Sequence, residues 1–530
     1  MTLTGELLIG ASDVPATAGT MKAFDPSTNR EIEPPFALGG NAEVNRAARL
    51  ADEAFDSYNA TSLADRAAFL DRIADKLERV APELAQRAAL ETGLPVAQLE
   101  GETARAASQF RKFAAVVRQG RFRQATIDPA QPDRKPLPRM DHRMQKVGIG
   151  PVAIFGASNF PISYSVAGGD TASALAAGCP VILKAHNAHP GTSEITGRVI
   201  RDAVRESDLH EGVFSLLRGA GNTVGEALVL HPLIRAVAFT GSEGGGMALH
   251  RLAQQRPDPI PVFAEMTSVN PTFVLPTALA LRGQAIGAGF AERMQYSVGQ
   301  ACLKPAIFLA VEGPGFDDAR EAIIARVAAA PARTMLTPGI ADSYRRNAQR
   351  QTAAGARLIA EGAAGTGPWD GHAALFEIDG DGFIADPSLA EEVFGPAALL
   401  VRLRDVNTMI AAAQTFRGQL SATMHLEQQD MATARQLLPI LERRTGRIVV
   451  NAFSIPQEVS YASIHGGPFP ATTDSRFTSV GMTAIDRFLR PVCYQGFPDE
   501  LLPEALKADN RLGLWRVVDG EPIDGKMGRS

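Results

Sequence analysis

Cysteine is scarce in this sequence: among 530 residues it occurs only as Cys179, Cys302 and Cys493, with no CxxC pair. Disulfide-rich secreted domains and cysteine-rich zinc sites need more cysteines at closer spacing, so both classes are excluded. An odd, low count fits free thiols in a reducing compartment, and we expect a cytoplasmic protein. Any cysteine with a function here would act as a nucleophile, and the others would fill the core.

Long apolar runs and a strong charge of either sign are also missing. No stretch approaches the roughly 20 apolar residues that span a bilayer, so we expect no membrane partner. Residues 1–10 lack the basic and apolar regions of a secretory signal. The net charge is −5, without the basic stripe that nucleic-acid-binding proteins carry, so we expect no nucleic-acid partner.

The chain does have length and apolar content, with 45% hydrophobic residues. At roughly 100–200 residues per domain, this length predicts two to four domains. Residues 4–35 predict short strands and turns, and residues 44–120 are alanine-rich with helical periodicity. Ser62 is a predicted helix cap, and the proline-rich segment 128–138 predicts an extended excursion.

From residue 148 onward, short apolar strands alternate with helices. Strands without polar alternation indicate a parallel sheet that is covered on both faces. About five such strands in succession predict a doubly wound, nucleotide-binding domain in an α/β protein. The predicted strands are 152–155, 181–184, 213–217, 236–239 and 262–264, and the predicted helices are 172–177, 192–206, 224–230 and 247–255.

A second α/β unit follows Asn270-Pro271 and continues to about residue 451. Its first predicted strands are 272–275 and 306–311, and its first predicted helices are 281–300 and 317–329. The tail beyond residue 488 predicts strand and coil. We find no internal repeat and no low-complexity segment.

Two glycine-rich turns are candidates for holding a nucleotide. Gly219-Ala220-Gly221 with Gly225 is spaced one residue wider than the dinucleotide fingerprint, and a plain strand-to-helix turn explains it equally well. The second turn, residues 239–246, includes Gly241 and Ser242 and opens a helix. Free N–H groups at that helix start, with Ser242 as an extra donor, predict a phosphate site.

Cys302 stands out from the other two cysteines. Free cysteine is most often buried packing, and Cys179 and Cys493 fit that interpretation. Cys302 instead follows Gly299, Gln300 and Ala301, and small neighbours suit a thiol that a ligand must reach.

Several motifs occur in order along the chain: Phe155-Gly156-Ala157-Ser158-Asn159-Phe160-Pro161, Lys184, Phe239-Thr240-Gly241-Ser242, Glu265, Gly299-Gln300-Ala301-Cys302 and Glu392-Val393-Phe394-Gly395-Pro396. Together they resemble those of the aldehyde dehydrogenase superfamily in order and spacing. The resemblance covers most of the chain, from about Phe24 to Pro491. Each motif is moderately specific, and their combination is highly specific.

The resemblance implies the catalytic roles. Cys302 would attack an aldehyde as thiolate, and the Asn159 amide with the Cys302 backbone N–H would hold the oxyanion. Glu265 would activate the water that hydrolyses the resulting thioester. Taken singly, Glu265 could be a salt-bridged strand end, Asn159 a turn former and Lys184 a solvated strand end. Their occurrence with Cys302 favours the functional interpretation.

The resemblance also implies cofactor contacts. Lys184 would bind a cofactor ribose, Glu392 the nicotinamide ribose, and Phe394 would pack beside the ring. Where many members have a ribose-binding glutamate, this chain has neutral Asn187. Without that charge a 2′-phosphate is not repelled, and Arg218 could pair with it, so we predict NADP, with NAD as the alternative.

One branch of the superfamily fits best. Residues 265–268 and 465–476 are similar to those of 2,5-dioxovalerate (α-ketoglutarate semialdehyde) dehydrogenases and, more distantly, of bacterial fatty aldehyde dehydrogenases. Thr267 stands where most members have a glycine. The resemblance favours 2,5-dioxovalerate as substrate, oxidised to 2-oxoglutarate. Its carboxylate needs a cationic contact, for which Arg293 and Arg476 are candidates, although an exposed helix arginine explains Arg293 better.

Three alternatives remain: a fatty or broad-range aldehyde dehydrogenase, a CoA-acylating relative, and a non-catalytic protein that keeps the fold. CoA-acylating relatives usually lack the base glutamate, so Glu265 argues against the second. Retention of Cys302, Glu265 and Asn159 argues against the third. We expect no metal, because His186 and His189 form an HxxH pair without an evident third ligand.

The resemblance implies an α/β architecture with a small oligomerisation element and a homodimer or homotetramer. The dinucleotide-binding domain would comprise residues 1–128 and 150–269, and the catalytic domain residues 270–480. The bridging element and the tail would comprise residues 129–149 and 481–530.

Overall fold

The computed structural model describes residues 2–524, so the last six residues of the predicted tail lie outside the described residues. The N-terminal part forms two short strand pairs and then four helices. Ser62 caps the second helix by accepting a hydrogen bond from the Asp65 N–H, as predicted. The elements are β1 (Leu7–Ile9), β2 (Ser12–Val14), β3 (Thr20–Asp25), β4 (Arg30–Ala37), α1 (Asn41–Asn59), α2 (Leu63–Arg79), α3 (Ala81–Thr92), α4 (Val96–Gln119), β5 (Thr126–Asp128) and β6 (His142–Gly148).

The next segment builds the predicted doubly wound sheet. Its strands are parallel in the order β11-β10-β7-β8-β9, and β1 and β2 extend it antiparallel at one edge. The chain leaves β9 and returns to the other side of β7, so strand order reverses beside β7. The elements are β7 (Val152–Phe155), α5 (Gly169–Ala177), β8 (Val181–Lys184), α6 (Pro190–Glu206), β9 (Phe214–Leu217), α7 (Thr223–Leu230), β10 (Ala236–Thr240), α8 (Glu243–Gln254) and β11 (Val262–Glu265).

The second α/β unit has its own seven-stranded sheet, in the order β15-β17-β18-β13-β12-β19-β20. All of its pairings are parallel except that of β15 with β17. Its elements are β12 (Thr272–Val274), α9 (Pro276–Met294), β13 (Ile307–Val311), α10 (Phe316–Ala328), β14 (Arg333–Thr334), α11 (Pro338–Ala353), β15 (Arg357–Glu361), β16 (Asp370–Gly371), β17 (Ala374–Asp379), α12 (Gly380–Ala385), β18 (Ala397–Leu403), α13 (Val406–Thr415), β19 (Gln419–His425), α14 (Met431–Glu442) and β20 (Thr445–Val450).

A third sheet joins two distant parts of the chain. Its order is β21-β6-β5-β22-β23, with the new strands β21 (Leu489–Gln495), β22 (Arg516–Val518) and β23 (Glu521–Ile523). Strands β6 and β21 pair antiparallel over their whole length. Strand β5 also belongs to this sheet, although the predicted bridging element begins only at residue 129. No helix within residues 2–524 is both long and apolar enough to cross a membrane.

The prediction of a helix over 281–300 is wrong at its C-terminal end. Helix α9 ends at Met294, because Ser297 (φ 52°), Val298 (φ 58°) and Gly299 (φ 66°) are left-handed in succession. This region is unfavourable for a β-branched residue such as Val298 and cannot continue a right-handed helix. The strained turn leads directly into the segment that carries Cys302.

Candidate active site

The predicted site residues of the first lobe lie at one edge of its sheet. Asn159 follows β7, Lys184 ends β8, Gly241 follows β10, and Glu265 ends β11. These strands are parallel, so their carboxyl ends meet at the same edge. In open α/β sheets, ligands bind outside the carboxyl ends where strand order reverses, which here is between β7 and β10.

The segment that carries Cys302 is fixed by side chains from outside it. The Asn270 amide donates to the carbonyls of Cys302 and Lys304, both at 2.9 Å. The Asn159 amide donates to the carbonyl of Gln300 at 3.0 Å. Asn159, which follows strand β7 of the first sheet, thus contacts the segment that carries Cys302, as its predicted role as an oxyanion donor requires. Its second amide hydrogen remains available to another acceptor.

His465 lies between Cys302 and Glu265. Its Nε2 is 2.6 Å from Oε1 of Glu265 and 3.4 Å from Sγ of Cys302. The Ser479 hydroxyl donates to the other oxygen of Glu265 at 2.6 Å. Glu265 and His465 are almost completely buried, whereas Cys302 is partly exposed. The three side chains therefore form one contiguous Cys–His–Glu cluster that opens at the sulfur.

Burial opposes ionisation of Glu265, but the charge of His465 and its hydrogen bond hold the pKa of Glu265 below its usual range. Burial, followed by the Glu265 carboxylate, raises the pKa of the Cys302 thiol well above its usual value. The resting cluster therefore holds a carboxylate and a thiol.

Sequence reasoning gave His465 no role. Residues 465–476 indicated only a similarity to one branch of the superfamily, and His465 is 163 residues from Cys302 in the sequence.

The side chains of Glu265, Cys302 and His465 could also hold a metal ion. Each offers one ligand atom, the three atoms lie within 4.8 Å of one another, and all three are of the types that bind zinc. His186 and His189 stack on each other, and both rings are largely buried.

A profile of the aldehyde dehydrogenase family matches residues 14–468. The chain belongs to the aldehyde dehydrogenase family. Alpha-ketoglutaric semialdehyde dehydrogenase 2 of Azospirillum brasilense is 53% identical over 98% of this chain and 100% of its own length. Alpha-ketoglutaric semialdehyde dehydrogenase of Acinetobacter baylyi is 43% identical over 97% of this chain and 98% of its own. The predicted superfamily and branch resemblance is confirmed.

A solved structure of an aldehyde dehydrogenase C mutant from Pseudomonas syringae, with NAD+ and octanal, superposes with a TM-score of 0.80. It covers 93% of this chain and 97% of its own at 21% identity, which shows the fold alone. The predicted fold class is confirmed. This aldehyde dehydrogenase is therefore an oxidoreductase that uses a nicotinamide cofactor.

The residues at the sheet edge fit such a cofactor. Lys184 is partly exposed, and its ammonium forms no hydrogen bond or ion pair with any residue in 2–524. Asn187 donates to the Gly219 carbonyl, while its Oδ1 is buried without a partner. Ser242 caps α8 by accepting from the Gly245 N–H, so its own hydroxyl hydrogen is free to donate. A ribose hydroxyl and a phosphate at the start of α8 would satisfy these groups.

The structure corrects the prediction for Arg218. Its guanidinium is fully buried and donates to the carbonyls of Gly5, Glu6 and Ala37. It also lies over the Phe36 ring, 5.2 Å from the centroid. Arg218 therefore fixes the N-terminal segment to the first sheet and does not present its charge to a 2′-phosphate.

Lys304 fixes the segment that carries Glu392 and Phe394, and the sequence analysis did not predict this contact. Its ammonium donates to the carbonyls of Val393, Gly395 and Ala397 at 2.6, 2.8 and 3.1 Å. These contacts hold the segment that carries Glu392 and Phe394 against the nucleophile segment. Gly299 must be glycine here, because a Cβ atom would collide with the Gly395 carbonyl.

Glu392 is bound by Thr267, which stands where most members of the family have glycine. The Thr267 hydroxyl donates to Oε2 of Glu392 at 2.9 Å. Burial raises the pKa of Glu392 to about 7, against the opposing charge of Lys304. Phe394 is two residues further and partly exposed.

A cavity of about 440 Å³ opens on Cys302, a size typical of small-molecule sites. Helix α4, the segment after β7 and residues 455–457 form its walls. Neither arginine proposed for the substrate carboxylate reaches it. Arg476 is exposed and paired with Asp474, and Arg293 lines a separate cavity. The residues that line the cavity at Cys302 include Glu102, Arg105, Phe160, Tyr164, Cys302 and Gln457.

Proposed function

We propose that this aldehyde dehydrogenase oxidises 2,5-dioxovalerate to 2-oxoglutarate with NADP, through a thioester on Cys302. The observation that carries the chemistry is the Cys302–His465–Glu265 cluster opening on a small cavity beside Asn159. The names of the two full-length relatives support the substrate. The metal-type donors of the cluster are all used in this reaction, so we propose no resident metal.

The first step forms a bond between Sγ of Cys302 and the aldehyde carbon. The thiol proton passes to the Glu265–His465 pair, and the carbonyl oxygen becomes an oxyanion. The free Asn159 amide hydrogen and the Cys302 backbone N–H hold that charge. A donor of this type is worth about 2.7–4 kcal/mol in other enzymes.

When bound, an oxidised nicotinamide would supply the hydride acceptor, and the carbon bonded to Sγ of Cys302 would give up its hydride as the thioester forms. After the thiol proton has passed from the Glu265–His465 pair to solvent, Glu265 takes a proton from water, whose oxygen bonds to the acyl carbon. The C–S bond breaks and Cys302 leaves as thiolate with the carboxylic acid as product. His465 acts as a positioning residue, because its Nε2 holds Oε1 of Glu265 beside the sulfur.

The substrate assignment is tested by a panel of aldehydes with each nicotinamide cofactor. We expect kcat/KM for 2,5-dioxovalerate to exceed that for pentanal and long-chain aldehydes by at least about tenfold. Product analysis should give the free acid at the same rate with and without CoA, because Glu265 is present to activate water. Faster turnover of fatty aldehydes, or a CoA requirement, would replace this proposal by the corresponding alternative.

The NADP preference now rests on the neutral side chain at position 187, since Arg218 is committed elsewhere. Asn187→Glu places a carboxylate where a 2′-phosphate would bind. We expect the ratio of kcat/KM for NADP over NAD to fall about 10–100-fold, because like charges repel. Asn187→Gln is the matched neutral control and should change the ratio little. A wild-type kcat/KM that favours NAD tenfold would contradict the preference.

We also propose a cytoplasmic homodimer or homotetramer. The third sheet and its flanking loops expose large apolar side chains, including Leu137 (70% exposed), Met140 (54%) and Leu501 (69%). Contact with a second copy would bury them. The three cysteines are all free, which fits a reducing compartment.

A further inference from the structure

Arg105 on helix α4 lies in the wall of the cavity that opens on Cys302, and some of its N–H groups have no acceptor among residues 2–524. The Arg105 guanidinium donates to the Gln457 carbonyl at 2.9 Å and lies 3.4 Å from the Tyr164 hydroxyl. No carboxylate of residues 2–524 comes within 4.0 Å of it. Arg105 is half-buried, so its charge is partly removed from water without an anionic partner.

Glu102, one turn earlier on α4, lines the same cavity and is 6% exposed. Its Oε1 accepts from the N–H groups of Ile162 and Ser163, both at 2.8 Å. Its Oε2 is buried and has no hydrogen-bond partner among the described residues. Burial raises the pKa of Glu102 to about 7, so its acid form is available near neutral pH.

We propose that Arg105 forms the subsite for the carboxylate end of the substrate, an inference that rests on the proposed function. Arg105 pairs with the substrate carboxylate. Glu102 holds the adjoining wall of the cavity, because its Oε1 accepts from the N–H groups of Ile162 and Ser163. The aldehyde at the other end of the five-carbon chain then lies toward Cys302.

The chemistry of the two groups favours this pairing. Guanidinium binds carboxylate through two parallel N–H groups, and a desolvated pair of this kind is strong. A neutral aldehyde would leave Arg105 without an anion in a partly dry wall. Of the other cations near Cys302, Arg447 donates to the Ser454 carbonyl and contributes nothing to the cavity wall. The cavity wall therefore selects an anionic aldehyde at Arg105.

Arg105→Met keeps an unbranched apolar stem and removes the charge. We expect kcat/KM for 2,5-dioxovalerate to fall about 100-fold, mainly through KM, because the substrate carboxylate loses its partner. The value for pentanal, which has no carboxylate, should change by less than about threefold. Arg111→Met is the matched control on the same helix, where Arg111 pairs with Asp75 and Glu78 at the surface, and it should change neither value.

If Arg105→Met also loses pentanal oxidation, Arg105→Lys decides: it should recover pentanal turnover and part of the preference. A lysine variant that recovers pentanal but no preference would overturn the subsite.

An Arg105→Met enzyme that keeps the wild-type preference for 2,5-dioxovalerate over pentanal would also overturn the subsite and leave the proposed function intact. A wild-type enzyme without that preference would overturn the proposed function itself. The two failures are therefore distinguishable in one set of kinetic measurements.

Discussion

Cys302→Ala is expected to reduce the kcat for aldehyde oxidation by about 10⁴-fold or more, because Cys302 is the only thiol within residues 2–524 that contacts the Glu265–His465 pair. Without the sulfur no thioester can form, and the carbonyl carbon is not attacked. The measurement is NADPH formation with saturating 2,5-dioxovalerate and NADP.

Cys493→Ala is the matched control, because Cys493 is exposed on β21 in the third sheet. It should retain wild-type kcat. Cys179 is a poorer control, since it is buried and its Sγ lies 3.4 Å from the Phe488 carbonyl. Unchanged NADP binding and circular dichroism for Cys302→Ala would show that only the chemistry is lost. Residual activity above a few per cent would contradict the assigned nucleophile.

Glu265→Gln is expected to lower the steady-state kcat by about 10²–10⁴-fold, because an amide cannot accept the proton of the attacking water. The amide can still bond to His465 and Ser479, so the cluster should keep its shape. His465 remains beside the sulfur to accept the thiol proton, so rapid-mixing measurements should show a burst of NADPH approaching one equivalent per active site, followed by a slow steady rate.

The burst separates the two steps of the reaction. His465→Gln removes the contact that positions Glu265 and should slow the steady rate less than Glu265→Gln. Glu458→Gln is the surface control, because Glu458 is exposed and its carboxylate binds Lys112 and the Val459 N–H. A Glu265→Gln enzyme that turns over at the wild-type rate would show that another group activates the water.

Much of the first lobe could be predicted because parallel strands covered on both faces are short, continuous apolar runs. The strand over 181–184 was predicted with its observed bounds, and β7, β10 and β11 within one residue. The end of α9 could not be predicted. Its termination depends on left-handed Ser297 and Val298, and neither residue type favours that conformation.

The sequence predicted residues of the candidate site only where they stand in recognisable motifs. Cys302, Glu265 and Asn159 stand in such motifs, and the structure brings them together. His465, Lys304 and Arg105 act through contacts between distant segments, and no local pattern marks them. Arg218 shows the opposite error: its position at a strand end suggested a phosphate contact, but the N-terminal segment that pairs with β9 covers it.

The central claim is that the sulfur of Cys302 becomes acylated during turnover. Glu265→Gln enzyme should be mixed with 2,5-dioxovalerate and NADP, quenched in acid, and examined by intact-protein and peptide mass spectrometry. The account predicts a mass increase equal to one 2-oxoglutaryl acyl group, located on the peptide containing Cys302 and absent from Cys302→Ala. NADPH formation without any adduct on that peptide, or with the adduct on another residue, would contradict it.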